Sequence, residues 1–170
     1  MRGRWPFRLL LAGTGLIFLT MELYSLPALR RFAGGQEAFD LRLSGYGLAE
    51  ARAYLAALGE GGRHFYLTVQ HPLDTVFPAA LALCLIGVAR RLNGAVSLVL
   101  ICGFALLGAG SDYQENASVR GLLLVGADGV SAEAVAQASR WTILKSAAFG
   151  ASIGGLLLLL ARAGQRRVKG

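Results

Sequence analysis

The chain has 170 residues, 55% of them hydrophobic, with 17 basic against 10 acidic residues and a formal net charge of +7. A mean hydropathy of +0.53 is too apolar for an ordinary soluble domain, and the length is too short for more than one compact bundle. The basic excess does not announce nucleic acid as a partner: the arginines sit at the edges of apolar segments rather than in a patch interleaved with aromatics, where anionic headgroups account for them.

Four segments approach the roughly 20 apolar residues that cross a bilayer: 9–27, 72–89, 94–112 and 140–161. They predict an all-α protein, a four-helix transmembrane bundle forming a single membrane domain. The first span follows Arg2, Arg4 and Arg8 and ends at Pro27. No convincing small-x-small cleavage site follows it, Ser25-Leu26-Pro27-Ala28 being a poor one, so it reads as a retained helix rather than a signal peptide.

The connection 28–71 mixes both signs of charge (Arg30, Arg31, Glu37, Asp40, Arg42, Glu50, Arg52, Glu60, Arg63). Within it Leu48, Ala51, Leu55 and Leu58 share one face of a short amphipathic periplasmic helix, closed by Gly59, Gly61 and Gly62. Its expected place is the outer membrane surface, with a lid over the bundle as the sharper alternative. Pro78 removes a backbone donor and predicts a kink just below Asp74 in the second span. After the tight turn at Arg90 and Arg91, the third span runs into Ser111-Asp112-Tyr113-Gln114-Glu115-Asn116. In the connection 113–139, Asp128-Gly129 makes a turn and Ser131 is an N-cap, so the last helix begins near Ala132. Gly150 and Gly154 form a small-xxx-small face on it, suited to the bundle or to a homodimer, with the bundle preferred.

The N-terminus, the turn at 90–91 and the C-terminus (Arg162, Arg166, Arg167, Lys169) carry basic residues and no acid. The positive-inside rule therefore puts them in the cytoplasm and the two long connections in the periplasm. Only Lys145 and Lys169 are lysine, while Ala, Gly, Leu and Arg dominate, the composition of a GC-rich bacterial gene. The expected location is a bacterial inner membrane, crossed several times.

Each span carries one charge that hydrocarbon penalises by about 2.5–3.5 kcal/mol on insertion scales: Glu22, Asp74, Asp112 and Lys145. Counting the helical rise from the nearest cytoplasmic arginine puts all four about 21–31 Å up, in the outer third of the membrane. His71 lies one turn above Asp74, and Glu115 and Asn116 extend the Asp112 face at i+3 and i+4. Arg63, His64, Tyr66 and Gln70 approach from the loop side. The expectation is a polar pocket open to the periplasm. Its acids outnumber Lys145, so Arg63 or Arg140 joins in, a carboxylate is protonated, or something cationic binds. His71, Asp74 and Glu115 match no metal-ligand spacing, Cys84 and Cys102 form no Cys-x-x-Cys pair, and no metal or cofactor is expected.

Gly59-Glu60-Gly61-Gly62-Arg63-His64-Phe65-Tyr66 has the pattern G-x-x-G-R-x-x-Y. Asp74-Thr75-Val76-Phe77-Pro78 follows as D-x-x-x-P, and Asp112-Tyr113-Gln114-Glu115-Asn116 as D-x-x-E-N, with Lys145 opening the last span. In these motifs the chain resembles a family of small uncharacterised four-span bacterial inner-membrane proteins. The resemblance implies the topology and the choice of polar residues, and it transfers no activity. Four spans with intramembrane acids are also similar, more distantly, to the sterol-isomerase-like emopamil-binding superfamily, from which no reaction is carried over.

The first functional expectation is a non-enzymatic membrane protein, either an accessory or assembly subunit or a binder of a small ligand or lipid. An enzyme on a lipid-like substrate, with Asp74 or Glu115 as general acid or base and Lys145 stabilising negative charge, comes second. A small proton- or cation-coupled carrier comes last, because no charge continues a path through the cytoplasmic half.

Overall fold

The apolar run after Arg4 forms α1 (Arg4–Thr20), passes through a π-helical turn at Met21–Ser25 and resumes as α2 (Leu26–Phe32). The computed structural model describes residues 4–91 and 95–168; Arg2, Gly94 and Lys169, invoked above for the basic flanks and a span boundary, lie outside the described residues. A loop with one 3₁₀ turn at Phe39–Leu41 leads to α3 (Leu48–Phe65), a second π-helical turn at Tyr66–Gln70, and α4 (His71–Ala89). Two long helices complete the chain, α5 (Ala95–Gly129) and α6 (Ala132–Val168). No strand occurs among the described residues, and the fold is all-helical.

Three helical stretches are long and apolar enough to cross a membrane: Trp5–Phe32, Leu48–Ala89 and Ala132–Gln165. Leu16, Leu19 and Leu23 on the first, Leu83 on the second and Leu157 and Leu158 on the third are exposed. Such a surface suits lipid rather than water.

Both long connections are more helical than the hydropathy pattern indicates. The amphipathic helix does not stop at Leu58: the chain bends at Gly59 (φ 62°) and continues as helix to Phe65. Gly61 and Gly62 are helical, and Gly62 gives room to Phe32, whose Cβ would lie 2.9 Å from an added Cβ. Glu50 caps the start, accepting from the Gly47 N–H at 2.8 Å. Its apolar residues Ala51, Tyr54, Leu55 and Leu58 are buried with Val119, Leu122 and Leu123 of α5 and Val135 and Ala138 of α6. This helix therefore covers the bundle as a lid rather than resting its apolar face on the membrane surface.

Likewise, 113–129 is not a loop but the second half of α5, bent at Gly126 (φ 71°). Only Val130 and Ser131 separate it from α6. Ser131 is the expected cap, its Oγ accepting from the Ala134 N–H at 3.1 Å, and α6 starts at Ala132. α5 packs most extensively on α6 and then on α4, while α1 packs along α4.

Pro78 lies within α4, which continues through it as helix. Gly150 and Gly154 do not serve the bundle: nothing lies within 4 Å of a Cβ built at either. Close approach comes instead from Gly155 against Ile101 (3.4 Å) and Gly108 against the Phe149 ring (2.9 Å), because these glycines face α5 and α6 respectively.

Candidate functional site: a buried charge cluster and its cavity

A proline four residues after Asp74 deprives the Asp74 carbonyl of its helical N–H donor. Asn116 supplies the replacement, donating from Nδ2 to that carbonyl at 2.9 Å and to Asp112 Oδ1 at 3.2 Å. The D-x-x-x-P and D-x-x-E-N motifs are thus two sides of one contact between α4 and α5, fixing Asp74 beside Asp112. Asp74, Asp112 and Asn116 are all buried.

Lys145 of α6 reaches into this contact. Its Nζ pairs with Glu115 Oε2 and lies 3.7 Å from Asp112 Oδ1 and 3.8 Å from Asp40 Oδ1. Glu115, fully buried, also accepts from Thr142 Oγ1. One turn along α6 thus provides both a cation and a hydroxyl for a single carboxylate.

Asp40 comes from outside the spans. Its 3₁₀ turn is anchored by Phe39, whose ring packs on Tyr46 (4.7 Å) and Tyr54 (4.8 Å). The rest of the loop is fastened to α6 where the Tyr46 N–H donates to Ser139 Oγ at 2.8 Å. Close approach there requires Gly45: its φ is +89°, and a Cβ would meet Ser139 Oγ at 2.7 Å and Ile143 Cδ1 at 2.8 Å. Asp40 Oδ2 accepts from the Tyr66 hydroxyl at 2.6 Å. Tyr46 is itself buried, and that burial, followed by the charge of Glu115, raises its phenol well above the ordinary value, so it stays protonated.

The two π-helical turns meet on the other side. Ser25 Oγ donates to Gln70 Oε1 at 2.5 Å, both side chains being fully buried. A π turn inserts an extra residue and rotates the face that follows, which recurs at functional sites. Here the two turns carry Met21, Glu22 and Gln70 to one place.

That place is a cavity of about 170 Å³ lined by Glu22, Asp40, Gln70, Asp74, Asp112 and Lys145, and also by the apolar Phe18, Met21, Leu26, Leu41, Phe77 and Phe149, with Ser146. The four expected intramembrane charges do share one site, with Glu22 at its exposed edge. Glu115 and Asn116 stand behind the lining and hold it.

Several expected members are elsewhere, His64 and Arg140 being exposed. Arg63 donates from Nη1 to the Leu123 carbonyl at 3.3 Å and lies against Gly126, capping the bend in α5. His71 is half-buried outside the cavity lining, and its Nδ1 has no partner among the described residues. Asp40, Ser25 and Thr142 are the members the sequence did not single out. Asp40 stood among the mixed charges of a connection, and no hydropathy signal separates it from Glu37 or Arg42.

Among the described residues, no group of three His, Cys, Asp or Glu side chains is arranged to hold a metal ion. Cys84 is buried beside Thr14 Oγ1 at 3.3 Å, and Cys102 is a separate free thiol. No family model, curated protein or solved structure matches the chain.

Proposed function

We propose that the chain is a non-enzymatic protein of a bacterial inner membrane, crossing it four times with both ends cytoplasmic, and that it holds a lipid-like or other small amphipathic ligand in the cavity beside Lys145. The fourth crossing in this reading is the first half of α5, whose Val99, Leu100, Leu106 and Leu107 are exposed as a lipid-facing surface would be. The observation that carries the ligand is the composition of the cavity wall, which combines three phenylalanines and aliphatic residues with Asp40, Asp74, Asp112 and Lys145. A hydrophobic pocket with a few convergent polar groups is the usual form of a small-ligand site. α1 packs along α4 rather than α6, so Phe18, nearly half exposed, gives the cavity a sideways mouth toward lipid.

Acid–base chemistry on a bound lipid is the second reading. It rests on Asp74, because Glu115 is held by Lys145 and Thr142 and does not line the cavity.

Ser146→Trp, which fills the cavity from its rim, tests the binding reading. Protein purified in mild detergent should carry a lipid-like molecule at about one per chain by native mass spectrometry, and the variant should lose it. Equal content in parent and variant would overturn the proposal.

A further inference from the structure

Asp40, Asp74, Asp112 and Glu22 line the cavity and Glu115 stands behind it, while Lys145 is the one cation in the lining. Lys145 is taken up by Glu115, Asp112 and Asp40. Neither arginine that could have balanced the rest does so: Arg63 caps α5 through the Leu123 carbonyl, and Arg140 is exposed. The Asp74 carboxylate, in a residue only 3% exposed, has no hydrogen-bond or ion-pair partner among the described residues, and it faces the cavity. An anion held inside a protein without a counter-charge is disfavoured, and a cation bound in the cavity would relieve it.

Gln70 adds an independent sign of a ligand. It is fully buried, lines the cavity, and its Nε2 has no partner. Turning the amide over exchanges the atoms without filling the deficit, since Ser25 engages one end only. Asp40 Oδ1 likewise lacks a hydrogen bond. The unmet groups are thus mostly acceptors contributed by separate elements, and among the described residues no three ligand side chains are placed for a metal ion. Separated acceptors suit a polyatomic cation that donates in several directions. A primary ammonium has three such donors, whereas a quaternary ammonium has none.

We propose that the cavity binds a primary ammonium group, with Asp74 as its principal counter-ion, Glu22 at the mouth and Gln70 bonding a neighbouring polar atom of the same molecule. This names the ligand chemistry of the site proposed above and rests on that reading. At about 170 Å³ the space equals the share of five or six waters at roughly 30 Å³ each. It fits an aminoalkyl headgroup, with any acyl chains lying outside along Phe18 and Phe149.

The test is native mass spectrometry of the full chain in detergent, titrated with lipids of identical acyl chains bearing ethanolamine, choline or glycerol headgroups, and separately with free ethanolamine. The ethanolamine lipid should bind about tenfold tighter than the other two, and Asp74→Asn should abolish that preference. If Asp74→Asn does not fold, Glu22→Gln, an exposed position, must lower the preference selectively. Saturable binding of free ethanolamine that competes with the lipid would support the ammonium site and identify a small amine as its source; absence of competition beside the lipid preference would identify the headgroup. Equal binding of all three lipids, sensitive to Ser146→Trp, would overturn the ammonium site and leave the amphipathic-ligand reading standing. Binding of neither lipid nor ethanolamine would overturn both.

Discussion

Asn116 does for Asp74 what the backbone of residue 78 cannot, since proline has no N–H to give the carbonyl four residues back, and the same amide nitrogen also donates to Asp112. Asn116→Ala should therefore destabilise the protein by about 1–3 kcal/mol, the usual cost of leaving buried acceptors unmet. Pro78→Ala returns a donor to the Asp74 carbonyl, so the cost of Asn116→Ala should shrink in that background without vanishing, because Asp112 still loses a bond. Thermal unfolding of the four proteins in detergent measures this, and equal costs in both backgrounds would contradict the pairing. At this scale the sequence was informative. Each of Glu22, Asp74, Asp112 and Lys145 stands out because hydrocarbon makes a lone charge conspicuous. Arg63 and His71 were drawn in by proximity along the chain, yet helical rotation and the bend at Gly126 turn Arg63 to another task.

Among the elements, the loop 36–47 matters most for the site, and it was the least legible. It brings Asp40 to Lys145, but its course is set by Phe39 against Tyr46 and Tyr54, side-chain packing that follows no helical or strand period, and by the Tyr46 bond to Ser139, far away in sequence. The π-helical turns were also hidden, since one extra residue in a turn leaves the composition of a helix unchanged. The Ser131 cap could be read, because it depends on local chemistry, whereas Gly59 was read as the end of a helix that only bends there. Gly45→Ala tests the element directly. A side chain there is strained at positive φ and collides with Ser139 and Ile143, so the variant should lose about 1–3 kcal/mol. Gly34→Ala, at φ +62° with nothing within 4 Å, carries the strain without the collision and should cost less. Equal losses by thermal unfolding would show that docking on α6 does not hold the loop.

Across the whole molecule, α4, α5 and α6 and a loop preceding α3 all send charged groups to one place under a lid formed by α3. Polar contacts between helices are a recognised source of association in lipid, where apolar packing alone distinguishes poorly between partners. Lys145 is the hub, and Asp40 joins the cluster only if the loop folds back upon it. A double-mutant cycle of Asp40→Asn and Lys145→Met, read as unfolding free energy in detergent, measures that most directly. Asp40→Asn should be less destabilising in the Lys145→Met background than in the parent, by about 1 kcal/mol or more, because the carboxylate it removes has lost its cation there. Effects that add within about 0.5 kcal/mol, the behaviour of independent sites, would mean that Asp40 and Lys145 do not meet.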